Sequence, residues 1–324
     1  MRTTVDQCGL SGPGRGRRAV LLPSGTGKWR VTMGEEREPG AVGDVEAMRE
    51  EAARLRAEVR QLRTRMESRP LIAQAQGMLR ERYALPDAET AFALLQRASQ
   101  QYNVKLRTLA EAAVSAPRPD GRGNLWFPGR ARRAEPSLTF KEGRDRRTGR
   151  GNRSEVLTAV LSQTLAVVGT DMGNVQIADR AERGLRIERH TGLTDDFVDF
   201  FAFVGEEGTS CALAARDLTQ VTVRDVATHP VFTEDARQAI LRAGSRACHS
   251  VPLTTASGLC VGMVSAHLEH PVGELTRAQL KALAVVGAEV GEWLAWYDRT
   301  VVLDALEHLH ALGRAHSGSR VLRR

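Results

Sequence analysis

The stretch SRPLIAQAQGMLRERYALPDAETAFALLQRASQQYNVKLRTLAEAAV, residues 68–114, decides the fold of the first half of the chain. Apolar residues recur in it at helical spacing in three runs, which are separated by Leu85-Pro86-Asp87 and by Tyr102-Asn103. Asp87 and Asn103 are predicted N-caps, because their side chains can accept the first free amide protons of the helix that follows. The stretch therefore predicts a bundle of three short helices.

Some residues of this stretch are not needed for packing a bundle. Gly77 falls in the middle of the first predicted helix, and a polar set surrounds the second break. The notable positions are Arg69–Ile72, Gln74–Leu79, Ala91–Leu95, Ala98-Ser99, Asn103–Arg107 and Ala110. Together they resemble the ANTAR domain, the small helical RNA-binding module of bacterial transcription antiterminators. An amphipathic three-helix bundle without this function is the alternative.

The resemblance implies a nucleic-acid partner and a set of contacts. The target would be structured RNA, as paired small hairpins near a terminator, whose loop bases can be read in the open. The basic contacts would position phosphates, and the polar ones would read the edges of loop bases. The predicted RNA-binding residues are Arg80, Arg82, Ser99, Asn103, Lys105 and Arg107.

A seam of apolar residues precedes the bundle. Its members are spaced 4-3-4-3-4 and are Met48, Ala52, Leu55, Val59, Leu62 and Met66. This spacing is typical of the contact face of a coiled coil. We expect residues 48–66 to pair two chains into a homodimer, so that 47–116 forms a coiled coil plus RNA-binding domain. A single helix that folds back on its own bundle is the alternative.

The charge is divided between the two halves of the chain. Residues 48–153 carry 23 basic and 12 acidic side chains, whereas residues 154–299 carry 12 basic and 19 acidic ones. A polyanion should therefore bind the first half, because an acidic surface repels nucleic acid.

Two segments lack the periodicity of packed structure. Residues 1–46 are rich in Gly, Arg and Pro and are predicted to be a disordered extension, or a region upstream of the true start at Met33 or Met48. Its Gly25-Thr26-Gly27-Lys28 does not complete a phosphate-binding loop. Residues 117–153 are predicted to be a basic flexible linker, in which Trp126-Phe127 could stack on unpaired bases. A merely solvated linker is the alternative.

Residues 154–299 change to alternating helices and strands, from an apolar helix at 155–168 to a capped helix after Thr276. This order resembles the GAF domain, a sensor fold with a central antiparallel sheet flanked by helices. The residues that carry the resemblance are Gly173–Gln176, Gly184-Leu185, Gly192-Leu193, Phe197–Phe201, Ser210–Ala212, Val223–Val226, Ser250–Leu253, Gly258 and Gly262–His267. The predicted fold class is α+β multidomain, with the GAF domain at 154–299 and a C-terminal helix or tail at 300–324.

The GAF resemblance implies a pocket but not its ligand, so the cofactor stays unknown. We expect a small, largely apolar molecule bound by Phe197, Phe200, Phe201 and Cys211, although these rings could simply be core. Cys248 and His249 are adjacent and should point to opposite faces of a strand, which argues against a metal or redox cluster. The cysteine spacing does not match the methionine sulfoxide reductases built on GAF folds, and no catalytic residues are predicted.

The pattern as a whole predicts a signal-responsive RNA-binding regulator acting in transcription antitermination. Its sensor follows the ANTAR module, whereas members of the family usually carry it in front. The chain has four cysteines with no CxxC pair and no run of 18 apolar residues, which indicates a cytoplasmic protein without a membrane partner. The alternatives are a GAF sensor whose helical module serves dimerisation or protein docking, and a DNA-binding regulator.

Overall fold

The amino-terminal part of the chain shows regular structure at a few places. The computed structural model describes residues 19–23, 29–33, 69–120, 123–141, 152–180 and 182–321, together with helical positions 48, 51, 54, 55 and 58. Strands β1 (Ala19–Pro23) and β2 (Trp29–Met33) pair antiparallel with each other. This pair differs from the disorder predicted for residues 1–46, whose other positions lie outside the described residues. Most of the predicted 48–66 seam also lies outside them.

Three helices follow in the order predicted. Helix α1 covers 69–83, α2 covers Ala88–Tyr102 and α3 covers Leu106–Ser115. Oδ1 of Asp87 accepts a hydrogen bond from the backbone N–H of Thr90 at 2.7 Å, so Asp87 is the N-cap of α2 as predicted. The prediction for Asn103 is wrong. It ends α2 with a left-handed backbone (φ 51°), a conformation that asparagine tolerates well, and Lys105 stands at the N-cap of α3 without a side-chain cap.

The second half of the chain is built on a six-stranded antiparallel sheet, which confirms the predicted fold class. Its order is β5-β4-β3-β8-β7-β6. The strands are β3 (Met172–Asp179), β4 (Gly184–Thr191), β5 (Phe203–Val204), β6 (Val221–Val223), β7 (Ala247–Thr254) and β8 (Cys260–Leu268). The helices are α4 (Arg153–Val168), α5 (Asp195–Phe200), α6 (Ser210–Asp217), α7 (Glu234–Arg242), α8 (Arg277–Tyr297) and α9 (Leu303–Val321).

Helices cover both faces of this sheet. Helices α4 and α8 pack on the outer face, where glycines permit close approach: a Cβ on Gly291 of α8 would lie 2.1 Å from the carbonyl oxygen of Thr254. Helices α5, α6 and α7 pack on the other face, which we call the inner face, and enclose a second hydrophobic cluster with Met263 of β8. Alternate residues of the central strands therefore contribute to two separate cores.

The segment between the two domains is not a free connector in its described part. Residues 123–141 lie along α8 and α9, and we call them the strap. The carboxylate of Glu307 accepts hydrogen bonds from the backbone N–H groups of Trp126 and Phe127 at 2.7 and 2.8 Å. Arg130 pairs with Asp304. These contacts differ from the flexible linker predicted for 117–153; residues 121–122 and 142–151 lie outside the described residues.

Helix α9 connects the three-helix bundle to the rest of the core. It packs on α2 and α3, and Nδ1 of its His310 lies 2.8 Å from the hydroxyl of Tyr83 at the end of α1. Gly313 lets the helices approach closely, since a Cβ there would lie 2.5 Å from the Tyr83 ring. One hydrophobic cluster runs from the bundle through α9 to α4 and α8. The described residues between 69 and 321 consequently belong to one packed unit.

Candidate functional site

Three of the six predicted RNA contacts lie at the end of α2 and in the turn that leads to α3. Ser99 is buried, and its hydroxyl donates to the carbonyl of Val104 at 2.6 Å, so it stabilises the turn. Asn103 is exposed, and its carbonyl accepts a hydrogen bond from the hydroxyl of Tyr297 at 3.3 Å. Lys105 is 56% exposed. Of these three side chains, those of Asn103 and Lys105 are accessible to a ligand.

These residues face the sheet domain across a cleft of about 340 Å³. The side of the cleft formed by the sheet domain contributes Arg153 at the start of α4 and the neighbouring pair Glu188 and Arg189 of β4. The cleft therefore brings together cations of both domains with one carboxylate.

Two ion pairs join the predicted RNA-binding residues to that domain. The ammonium of Lys105 pairs with the carboxylate of Glu188. Nη2 of Arg107 lies 3.0 Å from Oδ2 of Asp179, an atom that Nε of Arg186 also contacts at 2.6 Å. Lys105 and Arg107 therefore each have a carboxylate partner in the sheet domain. We call Asp179 and Glu188 the masking carboxylates.

Asp179 stays ionised in this setting. Burial opposes its charge, but the hydrogen bonds from Arg186 and from the backbone N–H of Glu182, with the charges of Arg186 and Arg107, lower the pKa of its carboxyl below the usual value. Glu111 of α3 responds in the opposite way, since burial and the nearby charge of Asp179 raise its pKa. The charge at Asp179 is therefore fixed by its arginine partners.

The remaining two predicted RNA contacts lie at the end of α1. Arg80 is exposed, whereas Arg82 is half-buried, with its guanidinium carbon 4.5 Å from the centre of the Trp126 ring. Trp126 itself is only 4% exposed and donates from Nε1 to the carbonyl of Pro117 at 2.8 Å. A packed, cation–π-stacked Arg82 and a core Trp126 hold the strap in place. Neither the Trp126 ring nor the stacked guanidinium is open for stacking on a base.

The predicted ligand-binding phenylalanines divide between core and surface. Phe197 and Phe201 are buried, with ring centres 4.5 Å apart, and Phe200 is 47% exposed. Cys211 is buried beneath them in the inner-face cluster. Phe197 and Phe201 therefore lie in the core, and ligand binding by these residues stays a prediction.

Cys211 belongs to a chain of buried hydroxyls and thiols on the inner face. Its Sγ lies 3.2 Å from Oγ of Ser265, which lies 3.1 Å from Oγ of Ser250. Ser210 connects Ser250 to Cys248, at 3.1 and 3.3 Å. Burial raises the pKa of the Cys248 thiol to about 12 and that of Cys211 above its usual value. Burial therefore disfavours the thiolate form of both groups.

Three buried polar side chains on the inner face have an acceptor atom without a hydrogen-bond partner among the described residues. They are Oδ1 of Asn174, Oε1 of Gln176 and Nε2 of His267. The other ring nitrogen of His267, Nδ1, lies 3.0 Å from Oγ of Ser245, whose hydroxyl donates to the carbonyl of Ala247. Nδ1 therefore carries the proton, and burial lowers the pKa of His267 to about 4. Nε2 is left as a bare acceptor.

Sequence reasoning missed the masking carboxylates and these acceptors, although signals for both were present. The opposite charges of the two halves indicate that the halves could attract each other as well as a polyanion. Asn174 and Gln176 stand two residues apart in an otherwise apolar strand, and such a period-two polar pattern places both on one buried face.

No group of three or more His, Cys, Asp or Glu side chains in the described ranges could hold a metal ion. No helix among the same residues is both long and apolar enough to span a membrane.

Comparison with protein families gives two matches. The ANTAR domain family matches residues 60–114, and the GAF domain family matches residues 152–292. Both describe regulatory domains. No curated protein matches the chain.

Solved structures similar to the chain each cover less than half of it. They include a GAF domain/HD domain protein from Geobacter sulfurreducens (16% identity, TM-score 0.38, 44% of this chain and 91% of that one). The GAF domain of an Acinetobacter phosphoenolpyruvate-protein phosphotransferase gives 15% identity and a TM-score of 0.37, over 44% of this chain and 82% of that one. The free methionine-R-sulfoxide reductase from Neisseria meningitidis, in complex with its substrate, gives 19% identity and a TM-score of 0.34, over 44% and 81%.

Proposed function

Because the chain combines an ANTAR domain with a GAF domain, we propose that it is a signal-responsive RNA-binding regulator of transcription antitermination. The observation that carries the proposal is the placement of Lys105 and Arg107. Both extend from the start of α3, and each already binds a carboxylate oxygen of another domain. Groups that hold an oxyanion in this way can hold the phosphate of a structured RNA hairpin instead.

The same ion pairs supply a means of regulation. While Glu188 and Asp179 occupy the two cations, a phosphate must displace them, which lowers the affinity for RNA. A signal received by the GAF domain would shift the masking carboxylates and release Lys105 and Arg107. The coupling can only be as large as the difference in RNA affinity between the masked and released states.

A second function is favoured by a specific observation. The hydroxyl of Ser99, the carbonyl of Asn103 and the charges of Lys105 and Arg107 are all used in contacts within the chain. Such contacts also suit a helical module whose role is docking or dimerisation. Under this alternative the chain is a GAF sensor that does not bind RNA.

Salt-dependent binding separates the two functions. A protein that touches phosphates loses affinity as salt rises, with a slope that counts the contacts. We expect that replacing both Lys105 and Arg107 with alanine makes the slope of log K against log salt concentration less steep by about 1 to 2 for a hairpin RNA. The double variant should bind all RNAs more weakly to the same extent. The control replaces two cations of the sheet domain, Arg224 and Lys281, which are outside the cleft, and should leave the slope unchanged. Equal slopes for wild type, variant and control would favour the docking module.

A further inference from the structure

The cleft between the α2–α3 turn and the sheet domain carries an excess of positive charge. Its charged lining consists of Lys105 of the helical module and of Arg153, Glu188 and Arg189 of the sheet domain. Three positive charges thus face one negative charge, which gives the lining a net charge of +2. A cleft lined mainly by one sign of charge concentrates ions of the opposite sign.

Two of these cations have no carboxylate partner in the part of the chain that the structure describes. Lys105 pairs with Glu188, whereas Arg153 and Arg189 form no ion pair there. The guanidinium of Arg189 contacts neutral groups instead: it donates to the carbonyl of Glu188 at 3.1 Å and contacts the hydroxyl of Ser154. Both arginines are half-buried, so solvent screens their charges less than on an open surface.

Two further carboxyls interact with the charge of Arg153 without lining the cleft. They belong to Glu111 and Asp298. Burial raises the pKa of both carboxyls and so opposes the ionised form that would pair with a guanidinium. The positive charge of Arg153 is therefore available to a molecule in the cleft.

The uncharged part of the cleft can hold an organic group. Its apolar lining comes from Val104, Leu106 and Leu157, and the buried Tyr297 lies beside them. The cleft has a volume of about 340 Å³. This volume is at the small end of the range of about 300–1,000 Å³ that ligand pockets span. The cleft therefore matches a small molecule with one ring and one charged group.

We propose that this cleft binds a small organic phosphate monoester, with the phosphate between Lys105, Arg153 and Arg189 and the organic group against the apolar lining. A phosphate monoester carries about two negative charges at neutral pH, which matches the net charge of the lining. Its three terminal oxygens can accept hydrogen bonds from ammonium and guanidinium groups of both domains at once. A neutral molecule would leave both arginines without a counter-charge.

The same phosphate would compete with RNA for Lys105. To reach the ammonium of Lys105, it has to take the place of the Glu188 carboxylate. The bound ester then joins the helical module to the sheet domain, and Lys105 is no longer available to an RNA phosphate. Ester and hairpin RNA should therefore exclude each other. This competition, unlike the binding of the ester, rests on the proposed RNA-binding function.

Two probes of nearly the same shape test the ligand class on the full chain. Phenyl phosphate is mainly a dianion at about pH 7.5, whereas phenyl sulfate is a monoanion. In isothermal titration calorimetry, phenyl phosphate should bind about tenfold more tightly or better, because a further charge-assisted hydrogen bond contributes about that factor. Equal affinities of the two probes, or no binding of either, would overturn the proposal.

A matched pair of variants tests the arginine of α4. Arg153→Gln removes a guanidinium that has no ion pair to lose, and it should weaken the binding of phenyl phosphate about tenfold. Arg277→Gln is the control, because Arg277 is exposed, is the first residue of α8 as Arg153 is of α4, and lies outside the cleft. It removes the same charge and should keep the affinity. Equal losses in both variants would reflect net charge alone and contradict the site.

A change of the opposite sign is expected at Glu188. Glu188→Gln removes the carboxylate that competes for Lys105, so phenyl phosphate should bind about 2–10-fold more tightly. A residue that only holds the two domains together would give unchanged or weaker binding, and either result would contradict the proposal.

Hairpin-RNA binding is measured on the same samples in the presence of each probe. Phenyl phosphate should displace the RNA at lower concentration than phenyl sulfate does. A chain that binds phenyl phosphate but no RNA would reject RNA regulation alone, whereas RNA binding with equal responses to both probes would reject the phosphate site alone. If Arg153→Gln weakens RNA binding and phenyl phosphate does not bind, the cleft belongs to the RNA and the proposal is wrong.

Discussion

Nη2 of Arg107, in the helical module, lies 3.0 Å from Oδ2 of Asp179, the last residue of β3 in the sheet domain. Asp179 is buried and also bound by Arg186, which keeps its carboxylate in one position. Lys105 and Glu188 repeat the arrangement with a more exposed cation. The two domains therefore meet through the same cations that the helical module would offer to a phosphate.

Neutralising the masking carboxylates should strengthen RNA binding. Asp179→Asn and Glu188→Gln keep the shape of both side chains and remove the charges that compete with phosphates. The cations of both pairs reach solvent, since Arg107 is 29% and Lys105 56% exposed, so each pair contributes on the order of 1 kcal/mol. We therefore expect the double variant to bind a hairpin RNA about 2–10-fold more tightly in fluorescence anisotropy at constant salt.

The matched control for this variant is Glu274→Gln, which removes the carboxylate that pairs with Arg224 elsewhere on the sheet domain. It should leave the affinity unchanged. If control and double variant gain affinity equally, the gain reflects total charge, and the masking role is wrong.

Replacing Ser99 with alanine should reduce stability. The Ser99 hydroxyl donates to Val104 inside the α2–α3 turn, so Ser99→Ala leaves that carbonyl without its donor. We expect the free energy of unfolding in urea to fall by about 1 kcal/mol.

Asn103→Ala, whose side chain is exposed, tests base reading instead: selectivity for a cognate hairpin over a scrambled one should fall with little change in salt slope. A selectivity loss in Ser99→Ala at unchanged stability would contradict this division of roles.

Two glycines of the helical region should respond oppositely to a methyl group. A Cβ on Gly313 would lie 2.5 Å from the Tyr83 ring, so Gly313→Ala should lower the free energy of unfolding by about 1–3 kcal/mol. A Cβ on Gly77 has nothing within 4 Å, and Gly77→Ala should stabilise α1 by about 0.5–1 kcal/mol. Thermal unfolding of both variants checks the pair. Equal shifts would mean that α9 does not dock on Tyr83.

Local patterns in the sequence were sufficient for the elements and the domain families. The helical runs of 68–114 and the cap at Asp87 were predictable, because periodicity and capping depend on residues a few positions apart. The strands of the second domain were predictable for the same reason, whereas their antiparallel arrangement was implied by the resemblance to the GAF domain. Asn103 was predicted to be the N-cap of α3, but it ends α2. The sequence did not distinguish the two, since an asparagine between two helices can cap the second or end the first in a left-handed turn.

Contacts between distant segments were not predictable from those patterns. Trp126 belongs to an aperiodic, arginine-rich segment, and its burial depends on Glu307, 181 positions later, which accepts its backbone N–H. The pairing of Arg107 with Asp179 likewise joins two domains. The opposite net charges made such pairing plausible in general, but a charge count does not select which residues meet.

Acid should destabilise the fold in a window set by two histidines. Burial lowers the pKa of His249 and of His267 to about 4, below the ordinary value of 6.5. The unfolded chain takes up these protons below 6.5 and the folded chain does not, so their stability contribution is complete above pH 6.5 and is lost as the pH falls toward 4. Each histidine contributes up to about 3 kcal/mol to the pH-dependent part of the free energy of unfolding.

Urea unfolding at several pH values between 7 and 4 measures this loss. Burial raises the pKa values of Glu111 and Asp298. Protonation of these two carboxyls at low pH therefore stabilises the fold and opposes the effect of the histidines. His249→Gln should therefore be compared with wild type, and it should reduce the pH dependence by about half of the histidine contribution. His190→Gln, at an exposed position, is the control. An unchanged slope in His249→Gln would show that His249 is protonated in the folded state.

Charges placed in the apolar seam of 48–66 should separate a dimer into monomers. The seam has coiled-coil spacing, and its Leu55 is helical and 49% exposed in the single chain, as a residue awaiting a partner helix would be. Leu55→Lys with Leu62→Lys puts two ammonium groups where apolar side chains of a partner would pack. The control, Ala53→Lys with Ala57→Lys, adds the same charges outside the seam. Sedimentation velocity should give monomers for the seam variant and dimers for the control and wild type, because only the first requires charge to be buried. A dimeric seam variant would place the interface elsewhere, and a monomeric wild type would favour the helix that folds back on its own bundle.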